Sequence, residues 1–304
     1  MTIQRVSVQN TAAFSATKKQ MKEKMKGTKS ALLAGSLASS VSIPLSLVSV
    51  GGITKIPKSM TPEEIKAMNN AADNILKMTK LADKGVKINH VKWGGLNLTG
   101  LPDSVHDLLN AYSGIAHGKN AAFSTKEIKN VLGEIMHEKN SILVNREKLP
   151  NAIFHEIGHA FNYNNSKFWK AMQGMRIPAL ILATGMMIYS AISKKSEAKD
   201  GKELTKTQKA NNFVRENSGL LSTLSFAPVV LEETMASIRG CKWANSNLPK
   251  ELAKKVAKTN AFGALSYIAA AIGVGLAAFA ATKVKDKIVE KNKQKQLDKL
   301  NATV

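Results

Sequence analysis

The sequence predicts a mainly α-helical chain with a small β element, interrupted and anchored by helices of membrane-spanning length. Three observations point that way. Helix start and stop signals recur along the chain, and strand signals are confined to "VKINHVKWGG" and "SILVNREK". Four long windows carry no charged residue, and charged residues, mostly lysines, bracket them.

Taken in order, residues 1–29 are basic and read as a disordered tail. Window 30–54 is 25 residues long, rich in serine, and carries Pro44. It fits a span, a hairpin or a weak signal-anchor, and it lies late for a cleaved signal peptide. A helix opens at Thr61, with Thr61 as cap, Pro62 at the first position, Glu64 at the box position and Gly85 as stop. After the strand "VKINHVKWGG", "SVHDLLNAYSGI" and "STKEIKNVLGEIMHEKN" read as helices, the second capped by Ser124 with Glu127. The strand "SILVNREK" leads to a helix with Pro150 in its first turn. Windows 177–193 and 217–231 follow, separated by a lysine-rich polar loop at 194–216, and Pro228 interrupts the second. Window 259–282 is the strongest span, and its small residues suit close helix packing. Residues 283–304 form a charged tail that continues the helix. Residues 55–258 are thus expected to form one domain containing two of the windows.

The 44 basic and 22 acidic residues leave a net charge of +22, which suits nucleic acid or an anionic membrane surface. Only 5% of residues are aromatic, and neither zinc-finger spacing nor a stacking platform occurs, so no nucleic-acid partner is expected. A lone cysteine, Cys241, excludes an internal disulfide and a thiolate-rich metal site.

The chemistry concentrates in "NAIFHEIGHAFNYNN", residues 151–165. Residues four apart share one helix face, so His155 and His159 can offer imidazole nitrogens to one zinc ion. Glu156 is rotated about 100° from His155, placed to take a proton from an attacking water rather than to bind the ion. A catalytic zinc needs a third protein ligand. Asn162 and Asn165 stand where an extended motif would need glycine and histidine, and no acidic residue occurs between Glu156 and Glu197. If windows 177–193 and 217–231 both cross a bilayer, Glu197, Glu203 and Glu216 are stranded on the far side. Glu232 and Glu233 return to the near side and remain as candidates.

HExxH followed by two hydrophobic windows and then E-x-x-A-S resembles the membrane-associated gluzincin metallopeptidases. These include the HtpX-like and CAAX-prenyl-protease peptidases and the bacterial neutral zinc membrane metallopeptidases. The resemblance covers about residues 140–245. It implies a zincin-type protease domain, zinc as cofactor, a peptide or protein substrate, a multi-pass place in a bacterial cytoplasmic membrane, and Glu233 as third ligand with Ala236 and Ser237 behind it. Glu232 then reads as a solvated neighbour. Ser237 is either a hydrogen-bond partner of a ligand or a packed small residue, Cys241 is structural, and Asn162 is placed to orient the site. In zincin folds the strand before the motif, here "SILVNREK", borders the cleft and can pair with an extended substrate. His90, His106, His117 and His137 read as ordinary surface or core histidines, with His117 or Tyr163 a possible oxyanion donor. With all four windows spanning, the higher density of basic residues at the two ends and in 194–216 places both termini in the cytoplasm. The alternatives are a catalytically inactive membrane scaffold and a basic protein bound to nucleic acid or another anionic surface.

Overall fold

The computed structural model describes residues 25–40, 42–92, 114–129, 135–198 and 202–302. The first apolar window is not one helix: it divides into α1 (Thr28–Ser39) and α2 (Ser42–Lys55). The Ser39 and Ser40 hydroxyls donate to the carbonyls of Ser36 and Leu37, satisfying acceptors at the end of α1. Pro44, which has no N–H to donate, falls in the first turn of α2. Of the tail expected over 1–29, residues 1–24 lie outside the described residues, and Thr28 already belongs to α1.

Thr61 and Glu64 close the expected capping box, so α3 (Pro62–Met78) starts where the sequence places it. It ends before Gly85, because the Thr79 hydroxyl donates to the Ile75 carbonyl at 2.6 Å and Lys80 turns the chain at φ 56°. Gly85, at φ +79°, instead stops the short 3-10 turn Ala82–Lys84.

Two small sheets follow. β1 (Lys87–His90) pairs parallel with β5 (Ser141–Val144), and β2 (Ala121–Ser124) pairs antiparallel with β5 from the other side. β3 (Ile128–Lys129) and β4 (Ile135–His137) form a separate antiparallel pair. This overturns the helix expected over "STKEIKNVLGEIMHEKN". The Ser124 backbone is paired with Ser141 in the sheet, and its hydroxyl donates to the Lys126 carbonyl at 2.8 Å, a turn bond rather than a cap. A local cap signal lost to sheet pairing. The helix expected at "SVHDLLNAYSGI" lies almost wholly outside the described residues, which resume at Gly114. β5 is also the middle strand, with both edges taken, so it cannot accept an extended substrate as expected. Among the described residues, the unpaired edge on that side of the sheet belongs to β2.

The remaining elements are α4 (Ile153–Asn165), α5 (Lys167–Gly174), α6 (Arg176–Ile192), α7 (Lys206–Glu216), α8 (Ser218–Ser225), α9 (Ala227–Asn247) and α10 (Lys250–Asn301). Half of the polar loop expected at 194–216 is therefore helix, opened by a Thr205–Gln208 capping box. The third window breaks at Phe226, with Pro228 in the first turn of α9.

The chain forms two compact units. One comprises Pro44–Arg176 and Pro228–Ala269. Its core packs Ile142 and Val144 of β5 against Ile153, Phe154 and Ile157 of α4 and Ile75 of α3. Leu143, pointing the other way from the strand, packs with Val91, Ile115 and Ala116. The other unit comprises Met1–Ile43, Ile177–Ala227 and Ala270–Val304. Its packing is inverted: Ala31, Ala183, Ala191, Ala278, Ala281, Ser218 and Ser222 are buried, whereas Leu33, Ile181, Leu182, Leu220 and Phe279 stand exposed. Ser222 donates to the Val274 carbonyl at 3.1 Å, and a Cβ on Gly35 would meet the Ala277 carbonyl at 2.8 Å. Small and hydroxylated residues thus fill much of this interior, where Arg215 and Lys285 are also buried, and large apolar residues face outward.

Among the described residues one helix, α10, is long and apolar enough to cross a membrane. α5 and α6, bent by 42° at their junction, make a second if they are one broken span.

Candidate metal centre

Pro150 opens the 3-10 turn Pro150–Ala152, which runs directly into α4. The buried face of α4 carries Ile153, Phe154, Ile157 and Ala160, and seating that face in the core leaves His155 and His159 facing α9 with Glu156 beside them. α4 and α9 approach backbone to backbone, because each offers a glycine at the crossing. A Cβ on Gly240 would lie 2.6 Å from the Phe154 carbonyl oxygen, and one on Gly158 would overlap the carbonyl of Ala236. Backbone atoms cannot swing aside as a side chain can. Gly158→Ala is therefore expected to destabilise this unit by about 1–3 kcal/mol, measured by denaturant or thermal unfolding. Wild-type stability in that variant would mean that the helices do not cross this closely.

The crossing brings three atoms together. His155 Nε2 lies 2.9 Å from His159 Nε2 and 3.0 Å from Glu233 Oε2, and His159 Nε2 lies 3.3 Å from the same oxygen. Ligand atoms bound tetrahedrally at zinc distances of about 2.0–2.1 Å stand about 3.3 Å apart. The donor set and its spacing thus fit a zinc ion. Exposure agrees: Glu233 is 1% and Glu232 0% exposed, and two adjacent buried carboxylates are costly unless more than one cation balances them.

The other imidazole nitrogens are also engaged. Ser237 Oγ stands 3.1 Å from His155 Nδ1, and Glu232 Oε1 stands 2.9 Å from His159 Nδ1. Such partners fix which nitrogen faces a metal. Glu232 is not the solvated neighbour that the sequence suggests: it is 0% exposed. Its Oε1 also accepts from Asn162 Nδ2 at 2.9 Å and Gln173 Nε2 at 2.7 Å, and its Oε2 from Arg176 Nη2 at 2.8 Å. Four donors saturate it, whereas Glu233 keeps Oε2 turned to the imidazole pair. Adjacent glutamates on one helix therefore have different work.

Glu156 is 7% exposed, and its carboxylate lies within 4.8 Å of imidazole nitrogens of both histidines. With His155 it lines a cavity of about 340 Å³, walled also by Ala121 at the start of β2 and by Ser266 and Tyr267 of α10. Arg176, Gln173 and Tyr267 are site residues that the sequence does not flag. Arg176 reads there as the flank of an apolar window, and Tyr267 is hidden inside one.

Other expected roles divide. Asn162 orients the site through Glu232. Cys241 accepts from Asn260 Nδ2 at 3.3 Å, a structural contact. Tyr163 packs edge-on against Phe123 with Lys170 over its ring, and among the described contacts none joins it to the cluster. His90 accepts from the Arg146 backbone, and His117 is exposed. His106 lies outside the described residues, as does the side chain of His137.

Electrostatics tie the cluster together. Burial disfavours a charged His159, but the Glu233 carboxylate and the bonds to Glu232 and Glu233 overcome it and raise its pKa to about 10. Burial pushes Glu232 up, but His159, Asn162 and Arg176 outweigh this and hold it at about 2. The same balance, dominated by His159 and His155, holds Glu233 well below the ordinary carboxylate range. Relative to the unfolded chain, raised His159 adds stability that is fully present below about pH 6.5 and is lost as pH rises through about 10. Depressed Glu232 adds stability that is present above about pH 4.5 and is lost as pH falls through about 2. Thermal unfolding of chelator-treated protein should show this cluster's full contribution between about pH 4.5 and 6.5. A metal ion taken up at His159 Nε2 would have to displace its proton, so metal affinity should rise with pH. Affinity independent of pH would contradict the arrangement.

No protein-family model, curated protein or solved structure matches the chain, and the site stands on its own geometry.

Proposed function

We propose that the chain is a membrane-embedded zinc endopeptidase of the gluzincin type. The observation that carries the reading is the meeting of His155 Nε2, His159 Nε2 and Glu233 Oε2 within 2.9–3.3 Å, beside a Glu156 that faces a cavity. These three side chains would hold the ion. Bound there, zinc supplies Lewis acidity, polarising a peptide carbonyl and making water acidic enough to attack near neutral pH.

The chain's own residues do the rest. Glu156 takes the proton of the attacking water and returns it to the leaving amine. Ser237 and Glu232 accept from Nδ1–H of His155 and His159, so that both Nε2 lone pairs face the ion. The free edge of β2 starts at the cavity, where an extended substrate can add by main-chain hydrogen bonds. The spacing E-x-x-A-S is supported as more than coincidence: Ala236 sits at the Gly158 crossing and Ser237 beside His155.

Membrane embedding is supported by α10 and by the inverted packing of the unit that contains Ile177–Ala227. The multi-pass reading now rests on fewer helices than the four windows suggest, because α1 with α2 and α8 with α9 are broken. A divided window can still enter the bilayer as a hairpin. If all four windows nonetheless cross, the loop at 194–216 and both termini share the cytoplasmic side, whereas a hairpin at 30–54 would leave the amino terminus on the side of the active site.

The test is cleavage of unfolded protein substrates by detergent-purified chain, with and without a zinc chelator, after extraction from carbonate-washed membranes. Activity abolished by the chelator and restored by zinc is expected. Cleavage that survives metal removal would overturn the zinc reading, and release of the protein by carbonate would overturn the embedding.

A further inference from the structure

Arg176, the first residue of α6, belongs to the same compact unit as the metal centre. Its Nη2 lies 2.8 Å from Glu232 Oε2 and 2.5 Å from Glu233 Oε1. One guanidinium nitrogen thus holds an oxygen from each of two neighbouring buried carboxylates. The bond to Glu232 is an aligned hydrogen bond. The contact to Glu233 Oε1 is one of charge, without hydrogen-bond alignment.

The two oxygens of Glu233 are thereby divided. Oε2 faces both imidazoles at 3.0 and 3.3 Å, and Oε1 faces the arginine. A carboxylate that is free to rotate can present both oxygens to a metal. At a catalytic zinc that would fill the position which water needs, since such a site combines three protein ligands with one open place. The charges fit as well. With neutral imidazoles, the carboxylates of Glu156, Glu232 and Glu233 outnumber the guanidiniums of Arg176 and Arg239 near them, leaving negative charge that a cation balances.

We propose that Arg176 is a positioning residue that confines Glu233 to one-oxygen ligation and so keeps a coordination position open. This rests on the zinc reading above. Arg176 does not touch the reacting atoms; it acts through the orientation of Glu233, and through Glu232 on the tautomer of His159.

The experiment uses full-length protein in detergent loaded with Co(II), whose visible absorption reports coordination number. Arg176→Gln removes the charge and keeps a donor; Arg176→Lys keeps the charge on a shorter arm that falls short of the point where Nη2 meets both carboxylates. Both should bind cobalt stoichiometrically, with weaker absorption bands characteristic of a higher coordination number, the lysine variant changing less. In the zinc-loaded protein kcat should fall about 10–100-fold with KM little changed. A wild-type spectrum in either folded variant overturns the proposal. So does complete loss of cobalt from a folded variant, which would make Arg176 part of the scaffold rather than a positioner. If Arg176→Gln fails to fold by circular dichroism, the lysine variant decides by the same criteria. Wild-type protein that binds no cobalt would refute the zinc reading itself, a result distinct from both.

Discussion

Glu156→Gln is expected to keep its zinc and to lose peptide hydrolysis by about 10²–10⁴-fold, the usual worth of a positioned general base. The amide has nearly the shape of the carboxylate and still fits the wall of the cavity, but it cannot take a proton from water. His155, His159 and Glu233 are untouched, so metal content should match wild type. KM should change little, because Glu156 works on the proton rather than on substrate binding. Zinc content and kcat measured side by side decide the matter. Loss of zinc in this variant would make Glu156 a ligand; retained activity would place the base elsewhere.

The second large effect separates two adjacent residues. Glu233→Ala removes the oxygen that stands 3.0 and 3.3 Å from the two imidazoles, so zinc occupancy and hydrolysis should both collapse. The spacing alone suggests that Glu232→Ala should leave most of both. Geometry says otherwise. Glu232 is buried and accepts from His159, Asn162, Gln173 and Arg176, so its removal strands those donors and frees the His159 ring to turn. Zinc affinity should fall by about 10–100-fold while saturating zinc restores part of the activity. Full zinc content in Glu233→Ala would overturn the ligand assignment. Unchanged affinity in Glu232→Ala would show that His159 needs no support.

What could be read from the sequence is local, and what could not is set by distant partners. His155 and His159 are legible because helical spacing alone puts them on one face. The capping boxes at Thr61 and Thr205 close because their partners lie within one turn; only the first is apparent from the flanking pattern. Ser124 shows the limit of that logic. Its cap signal is as good as that of Thr61, yet pairing with Ser141 along β5 outcompetes it. Glu232 and Arg176 are charged residues that the sequence suggests are solvated. The burial of Glu232, and the ion pair that Arg176 makes with it, follow from the helix crossing at Gly158 and Gly240, which no window of neighbours reveals. The apolar windows were legible in composition but not in extent. Pro44 and Pro228 divide two of them, while the fourth grows at both ends into a helix of 52 residues.

The most direct test is zinc content, measured by plasma emission spectrometry on detergent-purified protein, wild type beside His155→Ala. Removing one imidazole from the converging trio should take wild-type protein from stoichiometric zinc to near none, with circular dichroism showing that the fold persists. Folded wild-type protein that neither carries nor takes up zinc, or a His155→Ala variant that keeps it, would contradict the assignment of a zinc centre at His155, His159 and Glu233.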